Sequence, residues 1–137
     1  MNNKKLQDNI KLYESDLKRL PTECSLTFGY NDFYCIVKRQ PSGHLCGYVE
    51  LPLKFKDTVS VEKDFYSVHG GITYEEIDEF EETYTIGFDC TKSTDWIPAT
   101  GQYGFSDAKY RDIDYVKSEL KHLVDEIRKD VGLVWIG

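Results

Sequence analysis

Near the start of the chain, apolar residues fall at Leu6, Ile10, Tyr13, Leu17 and Leu20, with spacings of 4, 3, 4 and 3. That period puts them on one face of an amphipathic helix within residues 1–20. Pro21 stops it, because proline lacks the amide hydrogen that another turn would need. From Cys24 the period shortens: Leu26 and Phe28 alternate with polar residues. "GYND" at 29–32 is turn chemistry, and "FYCIVKR" at 33–39 is rich in β-formers, so two strands with a tight connection are predicted. "QPSGH" at 40–44 predicts a second turn. "LCGYVEL" at 45–51 predicts a third strand, in which Gly47 marks a bulge or a close backbone approach.

Residues 52–63 are polar and read as loop, with Val59-Ser60-Val61 as a short strand extension at most. "SVHGGITYEEIDEFEETYTIGFDC" at 67–90 reads as a strand and tight glycine turn, an acidic loop, and a last strand that delivers Asp89. Residues 91–110 contain Pro98, Gly101 and Gly104 and show no period; loops of that length in a compact domain are uncommon and often functional or mobile. The final helix, 112–131, is the clearest element: Ile113, Val116, Leu120, Leu123 and Ile127 are spaced 3, 4, 3 and 4. Asp112 is its N-cap, Asp114 complements the helix dipole, and Gly132 ends it. The apolar residues 133–136 then dock on the body. The pattern predicts an α+β fold in one domain, 1–137, with strands mainly in 24–90. Four to five antiparallel strands would pack against the N-terminal and C-terminal helices.

With 137 residues, 40% of them hydrophobic and 14% aromatic, the chain can bury a core and is not a disordered sequence. No apolar run reaches spanning length and no secretory leader is visible, so no membrane contact and a cytoplasmic location are expected. Cys24, Cys35, Cys46 and Cys90 form no Cys-x-x-Cys pair and are expected as reduced thiols packed like small hydrophobes. The net charge of -7 is local: Glu75, Glu76, Asp78, Glu79, Glu81 and Glu82 hold six of the 24 acidic residues. Outside that run 17 basic residues face 18 acidic ones, so no basic surface for direct nucleic-acid binding is expected.

Five places carry chemistry. His69-Gly70-Gly71 offers a sharp bend with bare backbone N–H groups beside an imidazole, weighed against a hairpin turn with a satisfied histidine. Asp89-Cys90 ends a strand that feeds the long loop: Asp89 is a metal ligand, a general base or the partner that orients His69, weighed against a simple loop turn. Cys90 as a nucleophile would need a lowered thiol pKa that nothing local supplies. His44, Cys46, His69, Asp89 and Asp95 suit zinc as ligand types, but their spacing does not specify it, so no metal and no cofactor is expected. Arg39 and Arg111 suit a carboxylate or phosphate, weighed against surface ion pairs. The acidic run is either a solvated hairpin tip, with Ile77 and Phe80 allowing a tucked helical turn, or a surface that docks on a basic partner.

Taken in order, "YCIVKR", "PSGHLCGYVELP", "VHGGITY", "IGFDC" and "YRDIDYVKSELKHL" resemble a family of small uncharacterised proteins of bacteria and their phages. The resemblance spans about residues 34–123. It directs attention to Arg39, His44, His69, Gly70, Gly71, Tyr74, Asp89, Cys90 and Asp95 as a ligand-binding set. One departure weakens an enzymatic reading: where that pattern has a histidine after Gly-Phe-Asp-Cys, this chain has "TKSTD". The N-terminal helix and the acidic run look like additions to the shared core. The expectation is a non-enzymatic phage or mobile-element accessory protein. It would bind a host protein through Glu75, Glu76, Asp78, Glu79, Glu81 and Glu82, the concrete version being anti-CRISPR-like inhibition of a nucleic-acid-handling defence system. The alternatives are a small-molecule or nucleotide pocket at His69-Gly70-Gly71 and Asp89, and a metal- or thiol-dependent enzyme.

Overall fold

A computed structural model of the protein describes residues 3–100 and 107–136, with side chains described for 4–100 and 107–132. The helical period at the N-terminus forms α1 (Asn3–Arg19), and the alternating segments form β1 (Ser25–Tyr30), β2 (Phe33–Arg39) and β3 (Leu45–Pro52). A single 3-10 turn follows at Leu53–Phe55, then β4 (Tyr74–Asp78), β5 (Thr83–Asp89) and α2 (Ile113–Ile136). The strands make one antiparallel sheet in the order β1-β2-β3-β5-β4. The architecture is α+β, with five strands.

Alternation explains which face is covered. On β2 the burial pattern puts Phe33, Cys35, Val37 and Arg39 inside and leaves Tyr34 and Lys38 exposed. Register carries that face across the sheet, since Cys35 pairs with Val49 and Val49 with Ile86. Ile113, Val116, Leu120, Leu123, Val124, Ile127 and Val131 of α2 are fully buried and belong to the same core cluster. At about 1.5–3 kcal/mol per fully buried aliphatic side chain, this helix face is the main anchor of the sheet. Gly47 is the close approach rather than a bulge: the β3–β5 register is unbroken, and a Cβ there would lie 2.9 Å from the Phe88 ring and 3.0 Å from Val116. Asn31 and Asp32, at φ 51° and 77°, make the two-residue turn between β1 and β2. Leu6, Ile10 and Tyr13 of α1 pack on a smaller cluster of Trp96, Ala108 and Tyr110.

Several sequence expectations are corrected. Gly132 does not end α2, which runs on to Ile136, so 133–136 continue the helix instead of following it; their side chains lie outside the described residues. Asp112 does act as N-cap, accepting the Tyr115 N–H at 2.8 Å. No strand precedes the double glycine, and none forms at 59–61: residues 56–73 are irregular, and they plug the core with Val59 and Tyr66. The acidic run is not a loop throughout, because Glu75, Glu76 and Asp78 belong to β4. Nor is it a tucked helical turn, since Ile77 is 43% and Phe80 93% exposed. Residues 101–106 of the long loop lie outside the described residues.

Candidate functional site

The glycine turn brings His69 to the N-terminal end of α2. Gly71 N–H closes the turn on Val68 C=O at 2.9 Å, and Gly70 and Gly71 take φ of 69° and 79°, the left-handed region that glycine enters without strain. A side chain at Gly70 would also collide with Lys92, 2.4 Å away. From this turn the imidazole reaches two partners: Nε2 lies 2.8 Å from Asp95 Oδ2, and Nδ1 lies 2.7 Å from the Tyr115 hydroxyl. Asp95, 1% exposed, also accepts Lys92 N–H at 2.9 Å and Arg111 Nε–H at 2.9 Å. The Arg111 guanidinium stacks over the Tyr115 ring, 5.0 Å from its centroid.

Burial alone would push the Asp95 carboxyl up. Hydrogen bonds from His69, Arg111 and the Lys92 amide outweigh it and hold the group below the usual carboxylate range. An ionised Asp95 takes a proton-bearing Nε2, which in the neutral ring leaves Nδ1 to accept the Tyr115 O–H. Tyr115 is held above its ordinary value, first by burial and then by Glu119, so the phenol keeps its proton. Carboxylate, imidazole and hydroxyl stand in the order that activates a nucleophile. Yet both His69 nitrogens and both Asp95 oxygens are already engaged within the protein. The cluster is a polar clamp that pins the glycine turn and the 92–95 turn to the first turn of α2.

The other candidates do not converge there. Asp89 does not orient His69; Asp95 does. Asp89 lies on the other side of the sheet, paired with Cys46, and its carboxylate accepts the Thr91 hydroxyl at 2.6 Å and the Thr73 hydroxyl at 3.2 Å, with Lys92 Nζ at 3.4 Å. Cys90 is 2% exposed, and burial pushes its thiol far above the ordinary range, the opposite of a nucleophile's need. His44 shares a 2.8 Å hydrogen bond with Ser42, and burial pushes its imidazole down. Cys46 is buried beside the Gln40 amide, 3.4 Å away. Tyr74 is 38% exposed, packs edge-on against Tyr48 at 5.0 Å and donates to the Glu76 carboxylate. Among the described residues, no group of three or more His, Cys, Asp or Glu is placed to hold a metal ion.

Arg39 is neither a clamp for a ligand nor a surface ion pair. It is 0% exposed, and its donors are taken by Leu20 C=O, Gly43 C=O, the Tyr110 hydroxyl and Asp16. Two partners were invisible to sequence reasoning. Asp16 lies on the helix face next to Leu17 and Leu20, where a carboxylate reads as solvated. Tyr115 sits beside Ile113 and Val116, and only its place in the first turn of α2 hinted at a role at that helix end.

The acidic hairpin is the exposed counterpart to this closed clamp. β4 is an edge strand, bonded among the described residues to β5 alone. Asp78 accepts the Glu81 N–H at 2.9 Å and closes the turn, while Glu82 C=O accepts the Leu53 N–H at 2.9 Å and ties the hairpin to the body. Glu75 is engaged by the Tyr84 hydroxyl at 2.5 Å; Glu76, Glu79, Glu81 and Glu82 are exposed around Ile77 and Phe80. No protein-family model matches this chain, and neither characterised proteins nor solved structures show a significant match to it. Among the described residues no helix is long and apolar enough to cross a membrane.

Proposed function

We propose that the protein is a non-enzymatic docking module whose β4–β5 hairpin engages a basic surface of a partner protein. The observation that carries this is Phe80, 93% exposed at the hairpin tip with Ile77 at 43%, in a segment that holds six carboxylates. An aromatic held in water by an ordered turn contributes nothing to folding, whereas an aromatic anchor with a charged rim is how protein interfaces concentrate affinity. The carboxylates accelerate encounter with a positive partner and reject acidic ones. They also line a free strand edge, where charge opposes strand addition, so the contact is made by side chains. A partner that handles nucleic acid presents such a positive surface in its binding groove. Inhibition of a host defence factor of that kind is the specific form of the proposal, supported by this charge placement and the sequence resemblance.

The test is capture from host extract by the wild-type chain and by two variants, Phe80→Ala and the reversal of Glu79, Glu81 and Glu82 to Lys. Glu75 and Glu76 are spared because they hold Tyr84 and Tyr74. Both variants are expected to keep the wild-type melting temperature and to lose the same captured protein, Phe80→Ala by about 2 kcal/mol or more of binding. A captured protein retained by both variants would sink the proposal.

A further inference from the structure

Among the described residues, one face of the sheet carries no helix. The residues that alternate with the core positions include Tyr34 and Ile36 on β2, Tyr48 on β3, Gly87 on β5 and Tyr74 on β4. Register aligns Ile36 with Tyr48, Tyr48 with Gly87, and Gly87 with Tyr74, a row that crosses four adjacent strands. Gly87 makes the row continuous: a Cβ there would fall 2.5 Å from Tyr48 Cδ1 and 2.5 Å from Gly47 C=O. Without that Cβ the Tyr48 ring lies across β5 and meets Tyr74 edge-on at 5.0 Å. Tyr34, next to the row, is 61% exposed. β4 belongs to both this face and the acidic hairpin, so the two surfaces are continuous.

We propose that this face seats a helix of the partner protein, one with an apolar stripe flanked by Lys or Arg; the inference rests on the docking reading above and names its chemistry. Charge selects the occupant. Glu50, Glu76 and Asp78 flank the apolar row on one side; on the other, Asp89 is paired with Lys92 at 3.4 Å beside Lys38, so the excess charge along the row is negative. A second copy would bring the same carboxylates against these, and like charges disfavour it. Exposed aromatics on an antiparallel sheet also suit base stacking, but the carboxylates repel phosphate. Dimensions agree with a helix: the four strands of the row, about 4.8 Å apart, span about 14 Å, the length of a helix of about 10 residues.

The test uses the full ¹⁵N-labelled chain and a 14-residue Leu/Lys peptide patterned as an amphipathic helix, with a scrambled peptide of the same composition. The expected result is amide shifts at Ile36, Tyr48, Tyr74 and Gly87. Binding should weaken tenfold or more in Tyr34→Lys, and also in Thr27→Lys, which places charge on β1 beside Ile36 should the first variant disturb the fold. Shifts confined to 77–82 would overturn the inference and leave the hairpin reading standing. Shifts on the sheet face with affinity unchanged by Phe80→Ala would support the inference and count against the hairpin. Equal binding of the scrambled peptide, or no shifts at all, would overturn it.

Discussion

Asp16 on α1 and Arg39 at the end of β2 form a 3.1 Å ion pair whose side chains are 2% and 0% exposed. The pair is the centre of a hub. Asp16 also accepts the Tyr110 hydroxyl at 2.5 Å and Ile113 N–H, the first amide of α2, at 3.1 Å. Arg39 spans Leu20 C=O and Gly43 C=O, both at 2.7 Å, and lies over the Tyr13 and Tyr110 rings. One buried pair thus joins both helices, a strand end and the loop before α2.

Removing either partner leaves an uncompensated buried charge. Asp16→Ala and Arg39→Leu are each expected to cost about 3–5 kcal/mol, and the double variant less than their sum. Urea unfolding of the three variants measures this; additive losses would mean that the two groups act independently.

Asp95 sets an acid limit on stability. Its folded pKa lies below the ordinary value, so it adds stability above the unfolded carboxyl pKa of about 3.9. That stability is lost as pH falls through the folded value, and Asp89 acts in the same direction. Asp95→Asn should lower the urea midpoint at pH 7; the gap should begin to narrow near pH 4 and close only as pH falls through the folded value. Parallel curves for the two proteins would show that His69 and Arg111 do not hold the carboxylate.

Gly87 and Gly29 make a matched comparison. Alanine at Gly87 meets backbone at 2.5 Å, while at Gly29 nothing lies within 4 Å. Gly87→Ala is expected to cost about 1–3 kcal/mol by overpacking, and Gly29→Ala to be neutral or slightly stabilising in thermal melts.

Thiol labelling separates the cysteines. Cys24 is exposed; Cys35, Cys46 and Cys90 are buried, with the Cys35 thiol pushed up to about 11 by burial. A thiol-exchange reagent at pH 7–8 should label Cys24 alone in the native protein and all four cysteines in denaturant. Fast native labelling of Cys90 would reopen a thiol-dependent reaction.

The elements whose residues repeat at a fixed period were legible in the sequence: the amphipathic stripes of both helices, the alternating strands up to Leu51, the turn at Asn31-Asp32 and the cap at Asp112. These depend on neighbours within a turn or a hairpin, and local chemistry suffices for them. The five residues of β4, Tyr-Glu-Glu-Ile-Asp, show no apolar face, so their sequence reads as loop. An edge strand that the helix layer does not cover needs none, and its state is imposed by β5. Gly132 failed as a stop because a glycine costs a helix interior only about 1 kcal/mol, which flanking residues outweigh.

The candidate site divides along the same line. The sequence by itself determined an α+β chain, a glycine turn presenting His69 and one concentrated acidic segment, all of them consequences of residues close in the chain. Only the tertiary structure decided that Asp95 rather than Asp89 faces His69, that Tyr115 and Arg111 complete the clamp, and that Arg39 is buried on Asp16. Each of those contacts joins residues 16 to 46 positions apart. A carboxylate's partner at such separations is set by strand register and helix placement, which no local pattern encodes.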